Sequence, residues 1–226
     1  MVDDPATRRA RRGQPGDQPE YVPGDARASY ARGMTRALFI VDVQNDFTEH
    51  GALGVAGGDA VAQRISAFLD EHAGEYALVV ASRDWHDGDN DNGGHFAQGQ
   101  PDFVDTWPVH CVGGTFGAEY DEGFDTSAVT HHLKKGQGKP AYSLFEGVGD
   151  DGTTAAQLLD EHSIRDIDVV GLATDYCVRA SALDALAAGR GVRVFTDLVA
   201  GVHPDSSAAA LTEIAAAGAR VVDSRG

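Results

Sequence analysis

The stretch from Asp166 to Gly189, DIDVVGLATDYCVRASALDALAAG, constrains the fold more than any other part of the chain. Between Asp168 and Asp175 it carries no charge and is rich in β-branched residues, the pattern of a strand buried on both faces of a parallel sheet. Val178, Leu183, Leu186 and Ala187 then fall at helical spacing, and Gly189 ends the run. Cys177 therefore sits where a strand hands over to a helix. A thiol at that place meets unpaired backbone N–H groups and the positive end of the helix dipole, both of which favour thiolate. The same N–H groups can receive the oxyanion that forms when a thiolate attacks a carbonyl. The competing reading is a small buried hydrophobe, the usual state of a lone cysteine. This segment alone leaves the two readings even.

The same pattern recurs along the chain. Strands are predicted over 36–43, 76–82, 129–135, 166–172, 192–196 and 220–222. Helices are predicted over 58–73, 153–162, 177–188 and 205–217, the first with Val61, Ile65, Phe68 and Leu69 on one stripe and the last preceded by Pro204. Alternating strands and helices imply a single-domain α/β fold, a mostly parallel sheet flanked by helices on both faces. Residues 1–33 are rich in Arg, Pro, Gly and Gln without apolar periodicity and read as a flexible extension, leaving 34–226 as the domain. Residues 83–127 make a passage far longer than an ordinary loop, and loops of that size are functional or disordered. Its aromatics, Trp85, Phe96, Phe103, Trp107 and Phe116, argue for packing, so this passage is expected to form part of a site.

Charge narrows the function classes. The 226 residues carry a formal net charge of −17, and residues beyond 33 hold 12 basic against 30 acidic side chains, a net of −18. Such a surface argues against nucleic acid and against anionic membranes as partners. No apolar run approaches the ~20 residues of a membrane span, and no apolar leader opens the chain. A cytoplasmic setting is expected, where Cys111 and Cys177 stay reduced.

In open α/β sheets, ligands bind outside the carboxyl ends of the strands, and the chemically able residues fall there. Asp42 ends the first strand inside the apolar run FIVDV, where an unpaired carboxylate is costly. Lys135, ending the third strand, is the obvious partner, and Lys134 should point to the opposite face. A structural ion pair explains two such residues as well. With Cys177 nearby, however, Asp42 can accept the thiol proton and later activate water while Lys135 holds the carboxylate. A second constellation is Asp84, His86, His95 and His110, a ligand set suited to Zn²⁺, Mn²⁺ or Fe²⁺. Surface histidines beside acids are the competing explanation. Asp87, Asp89 and Asp91 face solvent or form a cation site of their own, and Cys111 is either a further ligand or a buried structural thiol.

Taken in order, the segments ALFIVDVQNDF, ASRDWH, WPVHC, KKGQGKPAYSLFEG, GLATDYCVRASALDA and VFTDLVAGV resemble the nicotinamidase/pyrazinamidase branch of the isochorismatase-like cysteine hydrolases. The resemblance covers residues 36–223 and implies an isochorismatase-like three-layer fold. It implies a catalytic triad of Asp42, Lys135 and Cys177, and one divalent metal held by Asp84, His86, His95 and His110. It also implies an oxyanion site at the backbone N–H groups of Ala173 and Cys177, with a cis peptide before Ala173, and a ring pocket at Phe47, Trp107 and Tyr142. The implied reaction is hydrolysis of nicotinamide to nicotinate and ammonia, with pyrazinamide as an analogue and a homo-oligomer as the assembly. The stretch between His86 and His95 departs from the family pattern in being longer and more acidic. Rival readings are another superfamily hydrolase, such as an N-carbamoyl amidase, and a non-catalytic metal-binding protein.

Overall fold

The computed structural model describes Met1 and residues 35–226, so the expected extension over 1–33 lies almost entirely outside the described residues. Six strands make one sheet: β1 (Arg36–Val41), β2 (Leu78–Asp84), β3 (His131–Lys135), β4 (Asp166–Leu172), β5 (Gly191–Ala200) and β6 (Arg220–Val222). Their spatial order is β3-β2-β1-β4-β5-β6, and every neighbouring pair is parallel. The chain winds outward from β1 to β3, returns to β4 beside β1, and winds outward again. The crevice at the carboxyl ends of β1 and β4 is thus the topological switch point, the place where such sheets take ligands.

The period-2 alternation of β1 divides the core. Ala37, Phe39 and Val41 face a layer that holds the helices α2 (Ala155–Glu161), α3 (Arg179–Ala187) and α4 (Pro204–Ala216), while Leu38 and Ile40 face α1 (Gly58–His72). On the second face the long passage after β2 stands in for further helices, with Cys111, Ala118 and Phe124 buried against the sheet. Both faces of the sheet are therefore covered, as the near-continuous apolar strands require. Within that passage Phe96 and Trp107 are buried, but Phe116 is 79% exposed and Phe103 51%, so its aromatics are only partly packed.

Several boundaries differ from expectation, among them the end of β1 at Val41 rather than 43, the start of β3 at His131 rather than 129 and the start of α3 at Arg179 rather than 177. Three further differences have identifiable reasons. α2 begins after Thr154, which forms a capping box with Gln157, rather than at 153. β2 runs on to Asp84, so that Asp84 pairs with Lys135 across the ladder. β5 extends to Ala200 through the polar pair Thr196 and Asp197, which the apolar pattern had marked as its end; the Asp197 carboxylate accepts from Ser224 N and Oγ. The added length pairs with β4 only after a register shift between Val169 and Gly171. Gly171 has φ 113°, and a Cβ there would lie 2.1 Å from Val41 O, so the close approach of β4 to β1 requires glycine.

At the edge opposite the crevice, Asp168 is fully buried in β4. Its carboxylate accepts from Tyr76 Oη at 2.8 Å, from Arg193 at 2.7 and 2.5 Å, and from Arg36 at 3.2 and 3.3 Å. Asp168→Ala should lower the unfolding free energy by about 3 kcal/mol, the low end for breaking a buried pair because both guanidinium groups reach solvent. Urea denaturation followed by circular dichroism measures this, and a loss under about 1 kcal/mol would contradict it.

Candidate active site

Lys135 closes β3 and is fully buried at the switch-point crevice. Its Nζ lies 2.9 Å from Asp42 Oδ2, contacts Asp84 Oδ1, donates to Ala141 O at 3.2 Å and reaches Cys177 Sγ at 3.7 Å. Strand alternation sends Lys134 the other way, over the Trp85 ring at 4.7 Å and onto Asp150 at 2.8 Å. Asp42 leaves the sheet just past β1 with φ 48°, and its Oδ1 accepts from Ser82 Oγ at 2.7 Å. Its Oδ2 sits beside the ammonium without a hydrogen-bond geometry, a buried acceptor with capacity to spare.

Burial dominates the proton affinities here. It pushes the Asp42 carboxyl up by more than Lys135 pulls it down, and the Asp84 charge adds to the rise. Burial acts on Asp84 in the same direction, but Lys135 and the neighbouring imidazoles overcome it and hold that carboxylate well below its ordinary range. The two carboxylates likewise outweigh the burial of Lys135 and keep it firmly charged. Burial drives the Cys177 thiol well above the usual thiol range against the pull of Lys135, and Asp42 and Asp84 reinforce it. This corrects the expectation of a thiolate fostered by a helix N-terminus. Cys177 lies within a π-turn, Thr174–Val178, closed by Val178 N donating to Ala173 O at 3.1 Å. With Sγ enclosed beside two carboxylates, desolvation exceeds the dipole's help.

Beside the triad, His86, His95 and His110 each bring a nitrogen to within 4.8 Å of the others. Asp84 Oδ2 stands 3.6 Å from His86 Nε2 and 3.7 Å from His110 Nε2. The distal nitrogens are fixed by backbone carbonyls: His86 Nδ1 pairs with Gly136 O and His110 Nδ1 with Pro108 O, both at 2.8 Å. That fixes the tautomer and turns each Nε2 lone pair inward. His86 Nε2 and His95 Nδ1 are buried without a partner, and burial followed by the neighbouring imidazoles lowers His95 to about 4, keeping it neutral. Orphaned imidazole nitrogens beside a carboxylate fit a divalent transition metal. Cys111 is fully buried outside this cluster, its Sγ toward Gly117 O at 3.9 Å.

Both groups open onto one cavity of about 470 Å³. Phe47, Trp107 and Tyr142, the residues matched to a ring pocket, all line it, with Trp107 Nε1 donating to Tyr142 Oη at 3.1 Å. Ala173 and Cys177 line it too, and a cis peptide joins Leu172 to Ala173. Asp42, Lys135 and His86 lie behind the cavity wall, in contact with the residues that line it. Three contributors were missed. Tyr176 lines the cavity and packs edge-on against Trp107 at 5.0 Å, Ser82 holds Asp42, and Gln44 binds the backbone of Asp84. Ser82 had a usable signal, since it lies two residues before Asp84 on the same strand face. Tyr176 and Gln44 had none beyond their neighbours.

The Isochorismatase domain family matches residues 36–226. The nicotinamidase/pyrazinamidase of Mycobacterium tuberculosis is 48% identical over 187 residues, covering 83% of this chain and 98% of that protein. Among solved structures, the pyrazinamidase of Pyrococcus horikoshii in complex with zinc is 36% identical with a TM-score of 0.70, covering 84% of this chain and 99% of that one. An L. infantum protein in complex with nicotinate is 32% identical with a TM-score of 0.73, covering 85% and 94%.

Gly136 allows the carbonyl that orients His86 to approach. It has φ 86°, and a Cβ there would lie 2.5 Å from His86 Cε1. Gly136→Ala should therefore weaken divalent-metal binding by about 10–100-fold, the range for lost outer contacts of a ligand. Metal content after dialysis against a weak chelator measures this, and full retention would contradict it.

Proposed function

The chain belongs to the isochorismatase family, in its nicotinamidase branch, and from that premise we propose that it is a metal-dependent cysteine amidohydrolase. It converts nicotinamide to nicotinate and ammonia, and pyrazinamide is a second substrate. The observation that carries this reading is the buried Lys135 in contact with Asp42, Asp84 and Cys177, behind a cavity whose wall holds Cys177, Asp84, His95 and His110. A metal-binding scaffold without catalysis would have no use for a charge buried against a thiol.

Asp42, with its raised proton affinity and unfilled Oδ2, takes the Cys177 proton as Sγ bonds to the carboxamide carbon. The carbonyl oxygen becomes an oxyanion received by the Ala173 and Cys177 backbone N–H groups. Collapse breaks the C–N bond, and the proton on Asp42 leaves with ammonia. Water then attacks the thioester, giving one proton to Asp42; the C–S bond breaks, Cys177 recovers that proton, and the product leaves as nicotinic acid, which loses its remaining proton to solvent to become nicotinate. Lys135 keeps its charge throughout and fixes the Asp42 carboxylate toward the sulfur. Asp84, His86, His95 and His110 would hold one divalent ion, zinc by likeness to the Pyrococcus structure, with Fe²⁺ and Mn²⁺ compatible with the same donors. When bound, it supplies Lewis acidity toward the heterocycle. Phe47, Trp107 and Tyr142 sandwich the ring and exclude water. Both cysteines are unpaired thiols, which supports a reducing cytoplasmic setting for pyridine-nucleotide salvage. No helix among the described residues is long and apolar enough to cross a membrane.

Ammonia release from nicotinamide tests the reading: the metal-loaded protein should turn over, and chelation should abolish turnover until metal is restored. Inactivity of the metal-replete protein would overturn it. Cys177→Ala should remove turnover while leaving metal content unchanged, and surviving turnover would remove Cys177 from its role. Because burial raises Asp42, kcat/KM should fall on the acid side with an apparent pKa above the usual carboxylate range. Asp42→Asn should erase that limb and slow hydrolysis by about 10²–10⁴-fold; a retained limb would assign it to another group.

A further inference from the structure

Gln44 is fully buried two residues beyond Asp42, and its carboxamide is spent on backbone. Oε1 accepts from Asp84 N at 2.8 Å, and Nε2 donates to Asp84 O at 2.9 Å and to Ala118 O at 2.9 Å. The reason lies in the sheet. The β1–β2 pairing ends at Ile40 and Ala81, because the backbone turns away at Asp42 to aim its carboxylate into the crevice. Asp84, three residues further along β2, still pairs with Lys135 on its β3 side but has lost its backbone neighbour on the β1 side. Buried amide groups left unpaired are costly, and the Gln44 side chain takes the place of the missing strand. The Gln44 backbone meanwhile donates to Asp42 O at 2.9 Å and accepts from Phe47 N at 2.9 Å. One residue thereby ties the turn that carries Asp42, the start of the Phe47 wall and the peptide unit of Asp84.

We propose that Gln44 is a positioning residue that sets the affinity of the Asp84, His86, His95 and His110 cluster for its divalent ion, by clamping both sides of the Asp84 peptide. This rests on reading those four residues as metal ligands. Asp84 is the ligand with most to lose from a shift, since its other oxygen must also meet Lys135. No other side chain bonds both the N–H and the C=O of Asp84 among the described residues.

The test is zinc competition against a chromophoric chelator on the full chain, for wild type, Gln44→Met and Gln44→Glu. Methionine keeps the volume and removes all three bonds; glutamate keeps the acceptor for Asp84 N–H and loses both donors. Zinc affinity should fall about 10–100-fold in both, as for other outer contacts of metal ligands. Nicotinamide turnover at limiting zinc should fall with it and recover as zinc is raised, at unchanged KM. A folded variant with wild-type zinc affinity, or with lost turnover that zinc does not restore, would overturn the proposal. So would failure of both variants to fold, since the carboxamide would then hold the fold rather than the ligand. A wild type that binds zinc but leaves nicotinamide intact would remove the amidase reading, while the zinc titration would still judge the clamp.

Discussion

A fully buried ammonium, held against two carboxylates and a thiol, is the interaction on which the site depends. Taking Lys135 out of water costs several kcal/mol, and only close opposite charge offsets that. The sheet satisfies the requirement by register: β3 ends level with β2, so Lys135 and Asp84 are ladder partners, and Asp42 arrives from β1 on the far side of β2. Such pairs are poor evidence for stability, since apolar residues of the same volume often serve as well. Its cost makes sense as positioning: the ammonium holds Asp42 and Asp84 at fixed distances, one facing the sulfur and the other the histidines.

Parallel pairing around a switch point explains why residues so far apart in sequence meet. The crossover that returns the chain from β3 to β4 places Cys177 opposite Asp42, although 135 positions of sequence numbering separate the two residues. Because β1 and β4 are neighbours whose backbones touch at Gly171, the two loops that leave them cannot drift apart without disturbing the centre of the sheet. The histidines reach the same edge by another route. His86 follows β2 directly, whereas His95 and His110 come from the long passage, anchored by Trp107 N donating to His95 O at 2.9 Å and His86 N donating to Cys111 O at 2.9 Å.

Those two routes mark how far the amino-acid pattern could be read. Asp42, Lys135, Asp84 and Cys177 stand at strand ends, so periodicity and the rule for α/β sheets sufficed to assemble them. His95 and His110 lie in irregular chain, where no period operates, so donor chemistry grouped them with His86 only weakly and likeness to relatives strengthened the link. Gln44 was illegible for a different reason: its role is created by the early departure of β1 from β2, a three-dimensional event without a residue-type signature. The end of β5 was misjudged because a strand crossing the rim of a sheet is no longer buried on both faces and admits polar residues such as Thr196 and Asp197. The place of Cys177 at the strand-to-helix handover was legible, but the π-turn that carries it and its proton affinity were not. The dipole follows from local sequence, whereas desolvation follows from everything packed around Sγ.

In the proposed reaction, that last difference changes how Cys177 is armed. A standing thiolate would add a negative charge beside the Asp42 carboxylate, where the Lys135 ammonium is already shared among Asp42, Asp84 and the sulfur. Passing the proton from Cys177 to Asp42 moves charge between neighbours and leaves the net charge of the enclosure unchanged. Lys135, in contact with donor and acceptor alike, stabilises the negative charge wherever it sits. The raised affinities of Asp42 and Cys177 have one cause, the burial that disfavours a second negative charge beside Lys135. On the proposed reading, transfer of the thiol proton to Asp42 as the carbonyl arrives, rather than helix geometry alone, generates the reactive sulfur.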